Sequence, residues 1–468
     1  MGTNCNSKLV TASITLAFLK YIFQNNLVFV KTMKRLIEEK LIAWKGQADR
    51  KPLLVRGARQ VGKTWTILDF GRQHFDRVHR IDLEQRPDWH GVFTQDLVAD
   101  RILSELEILL NTEIRPGQDL LFFDEVQACP KAILALRYLY QERPELHVIA
   151  AGSLLEFAMQ EFSFPVGRVQ FLSLAPLNFA EFLLALGRQR AAEIVLSSPH
   201  RLSDSVHASL LQELRQYLFV GGMPECVLSY ARSRRLREAV DIQTNLLTAF
   251  RQDFAKYRPR VDPRVLEAVL KSIARNVGHQ VKYAALSDQG TPPTAKRAFE
   301  VLGFARLFHN VSAANPAGLP LGYTASRHRF KAVFVDVGLM QSLCGLALET
   351  EYAKADLLDI YQGALAEQFV GQEMVSTGQE ELHYWSREAR GSSAEVDYLS
   401  VQEGTICPVE VKSGAAGRLR SLHLFLRTYP QSPKGIVLSM APYAELPEQK
   451  LVFLPLYYAF ATGSGWVR

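Results

Sequence analysis

The sequence predicts an α/β fold led by a parallel sheet, on three observations. Gly57-Ala58-Arg59-Gln60-Val61-Gly62-Lys63-Thr64 matches G-x-x-x-x-G-K-[ST] between an apolar run, Leu53 to Val55, and a helix-compatible stretch, Trp65 to Phe70. A second apolar run, Leu120 to Phe123, ends in two carboxylates, Asp124 and Glu125. Between and beyond them, strand and helix patterns alternate. Val78 to Leu83 reads as a strand and Leu97 to Leu110 as a helix. Arg115-Pro116-Gly117 marks a turn, Pro130 opens a helix, and His147 to Ala151 is a strand closing on Gly152-Ser153.

Each residue type in the first motif has a chemical reason. The glycines let backbone N–H groups curl round phosphates, Lys63 reaches the β- and γ-phosphates, and the Thr64 hydroxyl can ligate Mg²⁺. A carboxylate at a strand's C-terminal end, Asp124, can hold the same ion, while Glu125 polarises an attacking water. ATP and Mg²⁺ are the cofactors this pair of motifs implies. Ser153 fits two roles, a sensor of the γ-phosphate or an N-cap for the helix that follows.

The 468 residues suggest about three domains at ~150 residues each. With 48% hydrophobic and 22% charged residues the chain is globular rather than disordered or fibrous. A net charge of +6 permits an anionic partner without demanding one. The five cysteines form no C-x-x-C pair, which argues against a disulfide framework or zinc site and fits a reducing cytoplasm. Leu9 to Leu19 is apolar but too short to span a bilayer, and Asn6 stands where a myristoylation signal wants Ser or Thr. No stable membrane anchor is expected, and residues 1–32 read as an extension before a domain that begins near Met33.

The run Arg56 to Thr64, then Asp124-Glu125-Val126-Gln127 and Ala151-Gly152-Ser153, resembles a widespread group of prokaryotic AAA-type ATPases. Further pieces fit: Val166-Gly167-Arg168-Val169 followed by Leu174 to Phe179, then Tyr217 to Pro224, Phe334 to Leu339, and Pro408 to Gly414. The resemblance covers the chain from about Met33 onward. It implies an ATPase domain over 33–200, a helical lid and winged-helix region over 201–345, and a restriction-endonuclease-like α/β domain over 346–468. Arg168 stands where such ATPases place either a charge-stabilising arginine or a loop residue, and both readings stay open.

In the middle region basic residues gather from Arg232 to Arg264, enough for a basic face or a solvated one. A helix over Pro263 to Asn276, a second over Thr294 to Leu302 and strand signals to Val335 follow winged-helix order. Lys296 and Arg297 would lie on the second helix, facing phosphates or base edges.

The last third reads as a helix (Tyr361 to Met374), three strands, a helix (Arg418 to Leu426) and a strand (Gly435 to Ser439), an order that suits the restriction-endonuclease core. Asp397, Glu410 and Lys412 stand in the form D-x12-E-x-K, without the proline that often precedes the aspartate. Alternation puts Glu410 and Lys412 on one face, Asp397 can meet them from the next strand, and Glu367 can close the cluster from the helix. Carboxylates so placed hold Mg²⁺ and orient water, with the lysine polarising water or phosphate. The sequence thus predicts an ATPase acting on nucleic acid with an Mg²⁺-dependent nuclease domain gated by nucleotide. The alternative is an ATP-dependent switch or scaffold whose last domain only binds DNA or a protein. Homo-oligomerisation is compatible with either.

Overall fold

Five short apolar strands make a fully parallel sheet: β1 (Leu53–Arg56), β2 (Val78–Asp82), β3 (Leu120–Asp124), β4 (His147–Gly152) and β5 (Gln170–Ser173), in the order β2-β3-β4-β1-β5. The computed structural model describes residues 33–161, 167–257, 261–326, 328–345, 363–389, 392–412 and 419–464. The extension over 1–32 therefore lies outside the described residues. All five residues of β3 are buried, as a strand covered by helices on both faces requires. One face packs Leu54, Leu121 and Phe123 against the helices Ala99–Leu110 and Pro130–Glu142. The other joins a core that runs on through Tyr217, Leu266, Phe369 and Tyr398, crossing all three expected domains without a break.

Helices dominate the next segment as expected: Asp204–Val220, Pro224–Ser233, Leu236–Asp253 and Pro263–Arg275. Part of the basic run, residues 258–260, falls outside the described residues. The helix Pro292–Phe304 then leads into an antiparallel pair, β6 (Phe308–Ala313) and β7 (Phe330–Phe334). This is winged-helix element order, but the hairpin does not stand free. β6 pairs in parallel with β8 (Leu382–Ala389), so the pair extends the C-terminal sheet. That sheet has eight strands in the order β12-β13-β11-β10-β9-β8-β6-β7, with β9 (Ser392–Gln402), β10 (Thr405–Val411), β11 (Gly435–Ser439), β12 (Ala444–Leu446) and β13 (Leu451–Pro455).

The open edge of β7 is covered by a helix rather than left exposed. Gln368, on the helix Ala364–Ser376, accepts from Phe334 N at 2.7 Å and donates to Phe334 O at 2.8 Å. Gln372, one turn on, accepts from Val337 N at 2.8 Å. Among the described residues no helix is long and apolar enough to cross a membrane.

Candidate nucleotide site and C-terminal carboxylate cluster

The phosphate loop leaves β1 at the carboxyl end of the sheet and enters the helix Lys63–His74, so the first N–H groups of that helix face the loop's concavity. Gly62 turns the corner at φ +92°, a left-handed conformation that side chains rarely adopt. At Gly57 the reason is space: an added Cβ would lie 2.2 Å from the Leu174 carbonyl oxygen. Lys63 is buried and donates to the carbonyls of Gly57 (3.0 Å) and Ala58 (2.8 Å), which holds its ammonium inside the loop. Burial lowers its pKa to about 8, while Glu125 and Asp124 pull it back up. The Thr64 hydroxyl donates to Asp124 Oδ1 at 3.1 Å, and these two hard oxygen donors fit Mg²⁺.

Asp124 is buried, and its other oxygen accepts from Arg80 Nε (3.0 Å) and Nη2 (2.7 Å) across from β2. Burial raises its pKa despite those bonds. Glu125 adopts φ +48°, a conformation costing on the order of 1 kcal/mol that recurs at functional sites. Its Oε2 accepts from Gln127 at 2.6 Å. Ser153 is buried just past Gly152, which pairs with Arg56, so it sits level with the start of the loop. The next helix begins at Leu155, two residues on from Ser153.

Arg168 is not brought to the phosphates. It is exposed two residues before β5, whose Gln170 pairs with Leu53 at the opposite end of β1 from the loop.

Arg35, Glu380 and Arg306, which brace the loop, were not singled out in the sequence, whereas Arg56 and Arg59 belong to the motif run itself. Arg35 is buried, donates to Val61 O (3.1 Å) and Ala175 O (2.7 Å), and pairs with Glu181 at 3.1 Å. Arg59 is ion-paired with Asp253, at the end of the helix Leu236–Asp253. Arg56, the residue before the loop, is ion-paired with Glu380 of the C-terminal region and lies 4.0 Å from Glu156. Arg306 joins both acids, completing a cluster of two arginines and two glutamates behind the loop. Burial pushes Glu380 up, but Arg56, Ser173 and Arg306 hold it down to about 2. The signal in sequence was only that Arg56 and Glu156 flank the motifs.

At the other end of the molecule, β9 and β10 run antiparallel with Tyr398 opposite Val409. Continuing that register sets Asp397 opposite Glu410, so the two carboxylates share one face of the sheet. Asp397 Oδ2 accepts from Val411 N at 2.7 Å, and Lys412 Nζ donates to Glu410 Oε1 at 2.5 Å. Burial raises the pKa of both acids, and Asp397 adds to the rise of Glu410. Glu410 Oε2 is buried without a hydrogen-bond partner. Glu367 stands on the helix Ala364–Ser376 and accepts from Lys331 Nζ at 2.9 Å.

A lysine outside the predicted quartet stands among them. Lys331 of β7 is buried, with Nζ 2.9 Å from Glu367, 2.5 Å from Glu395 and 3.9 Å from Asp397. Against the downward push of burial, these carboxylates hold its pKa well above the usual lysine value. Among the described residues no three His, Cys, Asp or Glu side chains are grouped to hold a metal ion by themselves.

The sheet order, the loaded geometry of Lys63 and the Thr64–Asp124 pair define a P-loop nucleotide-binding domain. Residues 49–183 match the family model described as an AAA domain. Residues 211–350 and 362–458 match two models, each described as a domain of unknown function (DUF8612 and DUF4143). No curated protein matches the chain. Among solved structures it is similar to the Walker-type ATPase PABY2304 of Pyrococcus abyssi, at 16% identity and TM-score 0.43, over 66% of this chain and 95% of that one. The Aeropyrum pernix ORC1 protein in complex with DNA is similar at 13% identity and TM-score 0.28, over 67% and 93%. The Thermotoga maritima RuvB Holliday junction branch migration motor follows at 16% and 0.28, over 62% and 94%.

Proposed function

We propose that this protein is an ATPase acting on nucleic acid, whose C-terminal cluster is an Mg²⁺-dependent phosphodiesterase centre under control of the nucleotide. The observation that carries the reading is the shared face of Asp397 and Glu410 with Lys412 beside them. Control has a route, because Arg56, one residue before the phosphate loop, is ion-paired with Glu380 on the C-terminal side. Mg²⁺ would supply charge neutralisation at the phosphates of both sites and a more acidic water at the second. The residues do the rest. Lys63 binds and orients the β- and γ-phosphates, and Glu125 takes a proton from the attacking water. In the C-terminal centre Asp397 and Glu410 fix the geometry, while Lys412 stabilises charge on the phosphate.

The test compares wild type with Asp397→Ala on single- and double-stranded DNA and RNA, with Mg²⁺ or Mn²⁺, with and without ATP. Cleavage by the wild type and its loss in the variant, with ATP hydrolysis unchanged, is the expected outcome. Absence of cleavage on every substrate removes the nuclease reading. A second reading, an ATP-dependent switch or scaffold whose last domain binds DNA or a protein without cutting, is favoured by Lys331 standing among the carboxylates.

Lys296 and Arg297 are both exposed on the helix Pro292–Phe304, where a nucleic-acid backbone could meet them. Lys296 keeps only a long contact, 3.9 Å, to Glu300. Replacing both with alanine is expected to weaken DNA binding and to reduce the slope of log K against log salt by about 1.8, two phosphate contacts at ~0.9 each. Fluorescence anisotropy at three salt concentrations measures it. An unchanged slope moves the contact off this helix.

A further inference from the structure

We infer that Lys331 is a resident, tethered cation of the C-terminal centre, standing where an ion could otherwise be held and leaving room for a single divalent ion. The inference rests on the reading of that cluster as a hydrolytic centre and specifies how many metals it takes.

Lys331 enters from β7, a strand that reads Phe-Lys-Ala-Val-Phe and is otherwise an ordinary buried edge. Its side chain is 2% exposed, and its ammonium touches Glu367 and Glu395 directly, with Asp397 at 3.9 Å. It also lies 5.1 Å from the centroid of the Tyr384 ring. An ammonium bounded by three carboxylates, on the shared face of two strands and a helix, does electrostatically what a bound ion would do there. Glu367 and Asp397 are largely buried, and without the ammonium their charges would lie uncompensated, while Glu395 reaches in from the exposed side.

The lysine cannot easily withdraw. Phe334, three residues on, exchanges two hydrogen bonds with Gln368, and Val311 of β6 pairs with Lys331 itself. It is therefore a permanent member of the centre rather than a lid. What remains is the part of the cluster that Lys331 does not bond directly. There the unpartnered Oε2 of Glu410 is buried, and Glu410 as a residue is 6% exposed. Asp397 Oδ1 is beyond hydrogen-bond reach of Lys331. Mg²⁺ is commonly held by one or two carboxylates plus substrate phosphate oxygens, so these two suffice for one ion. Glu367 and Glu395 are engaged by the lysine.

The experiment counts Mn²⁺ bound per chain by electron paramagnetic resonance on the full-length, nucleotide-free protein. Subtracting the count for Asp397→Asn isolates the C-terminal ions. Wild type should hold one such ion, Lys331→Ala two, and Lys331→Arg one. Unchanged ATP hydrolysis by Lys331→Ala checks that the variant is folded. Two ions in the wild type overturn the inference whatever the variants do. One ion in both wild type and Lys331→Ala overturns it and leaves the hydrolytic reading intact. No ion in any form overturns both.

Discussion

Lys63→Ala is expected to bind ATP at least ~10²-fold more weakly than the wild type, a loss on the order of 3 kcal/mol for a buried charge-assisted contact to phosphate. Lys63 is the one loop side chain held inside the concavity, anchored by the Gly57 and Ala58 carbonyls. No neighbour can take its place, because Arg59 is committed to Asp253 and Arg80 to Asp124. Glu125→Gln separates binding from turnover. Amide for carboxylate keeps the shape and the neighbouring Thr64–Asp124 pair, yet removes the base, so affinity should hold while hydrolysis falls by ~10²–10⁴-fold. Isothermal titration with ATP and Mg²⁺, beside a phosphate-release assay, reads both. Wild-type turnover by Glu125→Gln would show that another group handles the water.

The largest loss of stability is expected from Asp336→Ala. Asp336 is fully buried at the N-cap of the helix Val337–Cys344 and accepts from Leu339 N at 2.9 Å and from Gly222 N at 2.6 Å. One carboxylate thus caps a helix and ties it to the turn after Asp204–Val220. Alanine leaves two buried N–H groups without partners and removes the cap, a destabilisation of about 3–5 kcal/mol. Thermal unfolding followed by circular dichroism measures it, and a fall in Tm comparable to that of a surface alanine substitution would refute the tie.

The same residue gives a pH dependence. Burial raises its pKa from 3.8 to about 6, although the backbone donors oppose the rise. The folded chain then holds a proton between those values that the unfolded chain has released. Its contribution to stability is fully present below about pH 4 and is lost as pH rises through 6. Asp336→Asn should flatten that part of the Tm profile.

The nucleotide site was legible because its chemistry is local. Eight consecutive residues make the loop, and the strand ending in Asp124-Glu125 announces itself by composition. Asp397, Glu410 and Lys412 were legible for a related reason: alternation and one hairpin fix their common face. What the sequence did not reveal are contacts made across long separations. Lys331 was available as a signal, a lysine in a run that otherwise reads as buried strand, but nothing local says which acids it meets. Arg168 follows a strand-order rule invisible in the local pattern, since parallel pairing of β5 with β1 sets its start at the far end of the sheet. β5, β12 and β13 were not anticipated, being short and without a distinct period. The strand signals up to Val335 were read in winged-helix order, and non-local pairing of β6 with β8 makes this hairpin part of a larger sheet.

That pairing has a consequence for inheritance. Sequence comparison cuts the chain between residues 350 and 362, assigning β6 and β7 to one unit and β8 to β13 to another. The hydrogen bonds ignore the cut: Val311 to Ala313 register with Leu382 to Tyr384, and Gln368 clasps Phe334. Lys331, on one side, neutralises Glu367 and Glu395 on the other. Neither half is a portable cassette. A lineage that shuffled one without its neighbour would inherit a bare strand edge together with a knot of unbalanced negative charge, so the two must travel as a pair.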